Sequence, residues 1–190
     1  MVPAPRIPAL EPPYDPEVAR SLERMMGGSG LAPLLLFRVV GHNRHILDKF
    51  RSTGSYLLNF GMIDPIEREI VIDRTCARSG AEYEWGVHVV LYGRRVGLSE
   101  EQIRATVLGT ADSPEWTKRQ GTLIKLVDEL HDTASVSDAL WAELKEGWTA
   151  AQLVELLAVV GQYHMVSYFT NALRLPLETY AEHFPAGVRP

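Results

Sequence analysis

Cysteine is almost missing from this chain: Cys76 is the single example in 190 residues. No disulfide can close within the chain, and such a composition fits a reducing compartment. A basic excess is missing too. Nineteen Lys and Arg stand against 24 Asp and Glu, a net charge of −5, so no general positive surface exists to displace the counterions of a nucleic acid. Long apolar runs are lacking. The most apolar stretches, Leu31 to Phe37 and Leu153 to Gly161, fall far short of the about 20 residues that a spanning helix needs. The segment Met1 to Arg6 carries no apolar core of the kind a signal peptide uses. The expectation is a cytoplasmic protein with neither membrane nor nucleic acid as a partner. Equally scarce are alternating strand patterns, phosphate-cradling glycine loops, a Ser-His-Asp order and zinc-ligand spacings. No metal and no cofactor are therefore expected.

What is present is a normal globular balance, 46% hydrophobic and 23% charged, long enough for one domain with a core of its own. Residues 1–14 hold Pro3, Pro5, Pro8, Pro12 and Pro13. Proline at that density excludes helix and central strand, so an extended arm precedes a single domain over 15–190. Such an arm either stays in solvent or lies along a neighbouring subunit, and the apolar Ile7 and Leu10 favour the second. Helix starts then recur. Asp15-Pro16 and Asp64-Pro65-Ile66-Glu67 place a capping carboxylate before a first-turn proline, the second with the Glu of a capping box. Ser99 with Gln102 and Thr149 with Gln152 repeat that form. Between the starts run helical stripes: Ile66, Ile70, Val71 and Cys76; Leu123, Leu126, Val127 and Leu130; Leu153, Leu156, Leu157 and Val160, continued by Val166, Phe169 and Leu173. Gly27-Gly28-Ser29-Gly30 reads as a break, and Gly80, Gly97 and Gly109 as helix ends. The pattern predicts an all-α protein of roughly seven to nine helices. Gly161, inside the last helix, is expected at a close helix contact, since glycine there costs about 1 kcal/mol.

The segment Ala81-Glu82-Tyr83-Glu84-Trp85-Gly86-Val87-His88 holds the strongest chemical signal. Glu84 and His88 are four apart and share a helix face; Tyr92 and Arg95 continue it. A turn at Ser79-Gly80 would fold the preceding helix back and bring Glu69 against that face. Burial beside Trp85 and a carboxylate beside His88 would shift both groups toward neutral-pH proton transfer. An ordinary i,i+4 surface pair, with Tyr83 and Trp85 as core anchors, is the plainer reading of the same residues. Other candidates are thinner. His42 and His45 lack further ligands and suit a helix start capped by Asn43. Cys76 sits on an apolar stripe, as buried structural cysteines do. His164 has the same plain reading with an option on the same cavity. Glu155 with Tyr163 and His164 faintly repeats the order of Glu69 and His88.

The run Asp64-Pro65-Ile66-Glu67-Arg68-Glu69, then Ser79 to Trp85, His88, and Gly97-Leu98-Ser99-Glu100-Glu101-Gln102-Ile103 resembles the carboxymuconolactone decarboxylase and alkyl hydroperoxidase D (AhpD-like) family. The likeness is dense over 60–110 and looser to about 175, where Leu156, Gly161, Tyr163 and Asn171-Ala172-Leu173 resemble the closing helix. It implies packed helical hairpins, usually trimeric or built from trimers, with sites near subunit interfaces, so self-association as a trimer, hexamer or dimer is expected. The peroxidase branch of that family uses two cysteines three apart, a histidine four later and an upstream relay glutamate. His88 and Glu69 match the latter two, while Ala81 and Glu84 stand where the thiols would be. Thiol peroxidase chemistry is thereby disfavoured. The decarboxylase branch needs a positioned acid and cations for a carboxylate, roles open to His88 with Glu84 and to Arg74, Arg78 or Arg95. The resulting expectation is a cofactor-free acid/base enzyme on a small organic acid or lactone, of decarboxylase, lyase or isomerase type. His88, Glu84 and Glu69 would be catalytic; Tyr83, Trp85, Tyr92 and Arg95 would contact substrate. A peroxidase-type antioxidant protein and a non-catalytic oligomeric binding module are the alternatives.

Overall fold

The computed structural model describes residues 4–27 and 32–188. The start of the arm at residues 1–3 and most of the Gly27–Gly30 break lie outside that range. Among the described residues helix is the only regular secondary structure. In order come α1 (Pro16–Met25), α2 (Leu35–Val40), α3 (Arg44–Asn59), α4 (Pro65–Arg78), α5 (Glu82–His88), a π turn (Val89–Gly93), α6 (Arg94–Val96), α7 (Glu100–Leu108), α8 (Lys118–Thr133), α9 (Asp138–Gly147) and α10 (Ala150–Ala172).

Local chemistry sets most of these boundaries. Asp15 accepts from the Glu17 N–H and Asn43 from the Ile46 N–H, opening α1 and α3. Ser99 with Gln102, Thr117 with Gln120 and Thr149 with Gln152 form complete capping boxes on α7, α8 and α10. Asp64 caps α4 through the Ile66 and Glu67 N–H groups. The expected box is not completed there: the Glu67 carboxylate turns inward to Arg119 and to the Trp148 Nε1–H at 3.0 Å. A charged acceptor for the buried Trp148 N–H and for the Arg119 guanidinium outweighs one more orphan at a helix end.

Helix α4 is the axis of the molecule. It packs against α5, α7, α8 and α10, and ten consecutive residues, Glu67 to Cys76, are buried. Five of the ten are charged, and partners hold four of these. Glu67 has Arg119 and Trp148. Arg68 and Glu69 pair at 3.0 Å, and Arg68 also donates to the Leu58 carbonyl. Arg74 grips Asp128 through two 2.8 Å bonds and donates to the Thr106 and Gly109 carbonyls. Asp73 is the exception, fully buried with no hydrogen-bond partner on either oxygen.

Both flanking segments lie on this helical body. Residues 4–14 run along their own chain: Arg6 N–H donates to the Leu173 carbonyl, Leu10 N–H to the Arg38 carbonyl, and Arg38 Nε–H back to Leu10. The segment after α10 returns to α5. Glu182 N–H donates to the Gly86 carbonyl at 3.2 Å, the Phe184 ring packs on Trp85, and Phe184 N–H donates to Glu82. Gly86 makes the return possible, since a Cβ there would lie 2.1 Å from the Glu182 carbonyl oxygen.

Candidate active site

The turn between α4 and α5 places the site. Gly80 at φ +63° allows the chain to reverse. The Ala81 N–H then donates to the Cys76 carbonyl and the Gly80 N–H to Ala77, which closes α4 in a Schellman motif. Helix α5 therefore runs back along α4, and His88 comes to lie over Glu69. His88 Nδ1–H donates to Glu69 Oε2 at 2.8 Å, and Nε2 lies 3.5 Å from Glu84 Oε1. The π turn follows at once, a single widened turn of the kind that gathers at functional sites. It lays the Tyr92 ring nearly parallel over His88, centroids 4.9 Å apart, while Tyr163 of α10 meets the imidazole edge-on at the same distance.

A cavity of about 780 Å³ opens on this assembly. Glu84, His88, Tyr92 and Arg95 line it from α5 and its continuation, Gln162 and Tyr163 from α10, Arg51 from α3, and Glu178 and Tyr180 from the returning tail. Much of the remaining wall is apolar, including Phe37, Phe50 and Leu91. Such a lining, with a few convergent polar groups, is what small-molecule sites present. The Nε atom of Arg51 is buried without a partner, as is Glu84 Oε2.

The electrostatics turn on His88. Burial opposes its charged form, but Glu69 and Glu84 reverse that, and its pKa stands well above the ordinary histidine range. The ring is an imidazolium with one N–H for each carboxylate. Burial, then the neighbouring Glu69, drives the Asp73 carboxyl well up, so Asp73 is the protonated member of the group. Burial and the same carboxylates push the Tyr163 hydroxyl up. Glu69, Asp73 and His88 each bring a donor atom within 4.8 Å of the others, the closest approach to a metal-ligand set among the described residues. It fits a metal poorly. Arg68 and His88 occupy the oxygens of Glu69, and both ring nitrogens of His88 face carboxylates, which leaves Asp73 alone uncommitted.

Of the residues singled out from sequence, the structure brings together Glu69, Glu84, His88, Tyr92 and Arg95. It takes Tyr83 and Trp85 elsewhere, although both were expected to be pocket walls. They sit one position either side of Glu84, about 100° around the helix, and so leave its face. Tyr83 donates to Glu178 Oε1 at 2.5 Å and accepts from the Leu36 N–H. Trp85 donates to Thr106 Oγ1 at 3.0 Å beneath Phe184. Tyr83 thus supports a wall residue and Trp85 anchors the opposite face. Arg74 and Arg78 pair with Asp128 and Asp132 outside the cavity, and His164 lines a different crevice. His42 contacts the Pro8 carbonyl. The faint repeat yields no second site, because Glu155 caps the Met62 and Ile63 N–H groups.

Sequence reading missed Asp73, Arg51, Glu178 and Tyr180. Asp73 alone left a local trace: it lies four residues after Glu69, a like-charged pair on one face of a helix otherwise read as apolar. The others reach the cavity from distant segments and share no spacing with α5.

No protein-family model matches the chain, and no curated protein matches it. Solved structures do. An uncharacterized peroxidase-related protein from Silicibacter sp. TM1040 superposes with a TM-score of 0.77 at 18% identity, covering 95% of this chain and 97% of that one. The debrominase Bmp8, as a Cys-to-Ala variant in complex with 2,3,4-tribromopyrrole, gives 0.76 at 14% identity, with 92% of each chain covered. A protein of unknown function from Agrobacterium tumefaciens, described with the antioxidant defence protein AhpD, gives 0.66 at 18% identity over 74% of this chain and 95% of that one. The chain has the AhpD-like all-α fold. At these identities the likeness is one of architecture, and function has to be argued from the site.

Proposed function

We propose that this protein is a cytoplasmic, self-associating, cofactor-free enzyme that moves a proton on a small organic acid or lactone, in a decarboxylation, a related lyase step or an isomerisation. One observation carries the reading: the unpartnered Glu84 Oε2 lies buried in the wall of the cavity, beside an imidazolium held from behind by Glu69. Glu84 is placed to take a proton from substrate, and His88 to give one at Nε2. Glu69, itself held by Arg68, orients the ring. Tyr92 and Tyr163 fix it from two further sides. Arg51 and Arg95, in the cavity wall and without an ion-pair partner among the described residues, suit a carboxylate or enolate, and the apolar wall suits a ring. A structural neighbour that holds a small ring, tribromopyrrole, is in keeping with a substrate of that size.

The test is turnover of a panel of carboxylated lactones and 3-oxo acids, followed by proton NMR in heavy water. Active substrates should lose carbon dioxide or take up deuterium at one carbon. Glu84→Gln and His88→Asn should each lower kcat/KM by about 100-fold or more. Turnover that survives His88→Asn within about threefold, far less than a proton-transfer group contributes, would falsify the assignment. A thiol peroxidase reading has no support at the site. Cys76 is fully buried, and burial followed by the nearby Glu84 and Asp73 pushes its thiol up, away from the reactive thiolate.

A further inference from the structure

Two glycines sit inside the long helices α3 and α10 where no contact requires them. Glycine inside a helix is destabilising relative to alanine, so each needs another reason. Gly161, expected from sequence at a close helix contact, instead has nothing within 4 Å of where a Cβ would stand. It faces outward on α10, on the side of Val154 and Tyr168, which are 68% and 67% exposed. Gly54 of α3 is a different case. Its backbone is ordinary helix, and a Cβ there would meet only Gln162 Nε2, at a comfortable 3.8 Å. Neither backbone conformation nor close packing calls for glycine at this position. What Gly54 leaves out is side-chain volume, and it leaves it out in the wall of the cavity.

The cavity is long as well as large. Its volume of about 780 Å³ lies well inside the range, about 300–1,000 Å³, that encloses drug-sized ligands. One face of α3 lines it at Phe50, Arg51, Gly54, Ser55, Leu58 and Asn59, a span of about 13 Å. Helix α5 and its continuation line it from Glu84 to Arg95, about 16 Å. A single small ring leaves most of that length unfilled. Gly54 lies midway along the α3 face, against Gln162, and the next residue of α10 is the Tyr163 that meets His88 edge-on. The gap therefore opens beside the imidazole. Arg51, its Nε buried without a partner, stands one turn before the gap, and the apolar Leu58 one turn after it. Phe37 and Phe50, edge to face at 6.2 Å, belong to the same wall.

We propose that the cavity takes a fused-ring carboxylic acid of two or three rings, its carboxylate on Arg51 and its ring body lying across Gly54 toward Leu58. The proposal rests on the reading of this cavity as the substrate site and extends it. The portion that reacts at His88 and Glu84 is then one part of a longer, rigid molecule. A buried guanidinium without an acceptor selects an anion. Aromatic wall residues favour rings, and a rigid body loses less freedom on binding than a chain of equal size. Gly54 sets the length that is accepted, because a larger side chain there would stand in the path of the rings.

Calorimetric binding of benzoate, 2-naphthoate and anthracene-2-carboxylate to the full chain tests this without turnover. Each added ring should tighten binding roughly fivefold or more through the apolar area it buries. Each acid should bind about tenfold or more tighter than its carboxamide. Gly54→Leu should level the three acids to within about threefold, whereas Arg51→Met should weaken all three and keep the steps between them. Gly54→Ala should melt no lower than the wild type, since its Cβ meets no clash. A lower melting temperature would give the glycine a packing role and overturn its assignment. Affinities that stay flat across the wild-type ring series overturn the proposal by themselves, even where Gly54→Leu fails to fold. Undecanoate has the carbon number of 2-naphthoate, and tighter binding of the chain than of the rings overturns the ring class. The two readings fail separately. Ring-size steps without turnover of any acid remove the acid/base chemistry and leave this ligand, and turnover of single-ring lactones without ring-size steps does the reverse.

Discussion

Helices α4 and α10 are inverted relative to each other. The first places five charged residues among ten successive core positions; the second turns an uncharged strip to the outside. Each breaks the ordinary rule of a surface helix, apolar inward and charged outward. The breaks differ in what satisfies them. In α4, every buried charge but one finds its partner within the chain, and the exception, Asp73, stands beside the imidazole. In α10, the described chain supplies nothing for the exposed strip. The charges of α4 are met from inside the chain, whereas the apolar strip of α10 is left open by the described residues.

The sharpest way to break the α4 side of this contrast is Arg68→Ala. It leaves the fully buried Glu69 with His88 as its one remaining cationic partner, and should cost about 2–3 kcal/mol by urea unfolding. Adding Glu69→Leu should recover most of that loss while the site stays dead. No recovery would mean that Arg68 acts through packing alone. Next in size is Gly86→Ala, whose Cβ collides with the Glu182 carbonyl. A loss of roughly 1–3 kcal/mol is expected, with faster hydrogen exchange at Glu182 and Phe184 and a weakened cavity wall. Wild-type exchange rates there would remove the tail from the account.

A pH series sharpens the comparison further. His88 and Asp73 both have folded-state pKa values raised well above their ordinary 6.5 and 3.8. Each therefore binds its proton more tightly in the folded protein. Its stabilising contribution is complete below the ordinary value and is lost as pH climbs through the raised one. Urea midpoints should decline from neutral toward alkaline pH, with a slope of at most about 1.4 kcal/mol per pH unit for each group. Asp73→Asn should flatten part of that slope; a profile that is level or rising toward alkaline pH would contradict both shifts. The smallest effect belongs to α10. Val154→Thr should change the unfolding free energy of the dissociated chain by less than about 0.5 kcal/mol. A larger loss would show that this face is already packed within one copy.

The same contrast explains what could be read from the residues alone. Capping chemistry is local, so the openings of α1, α3, α7 and α10 were legible at Asp15, Asn43, Ser99 and Thr149, and the turn at Gly80 was enough to bring Glu69 to His88. Direction was harder. The stripe Leu153, Leu156, Leu157 and Val160 reads as core throughout, but Leu157 is 38% exposed, because apolar periodicity marks a face to be covered and not what covers it. Tyr83 and Trp85 were misplaced for a related reason. Nearness in sequence to Glu84 does not mean a shared face when each residue turns the helix by about 100°. Arg51, Glu178 and Tyr180 left no trace, since the cavity is assembled from segments far apart along the chain, and their meeting is a property of packing.

The tail that closes the cavity joins α5 from the far end of the chain, through the Glu182–Gly86 bond and the Glu82 contacts of His183 and Phe184. Contacts so distant in sequence carry a large loop-closure cost. The cavity is whole only while the far end of the chain stays docked on α5, so hydrogen exchange at Glu182 and Phe184 reads the state of that wall.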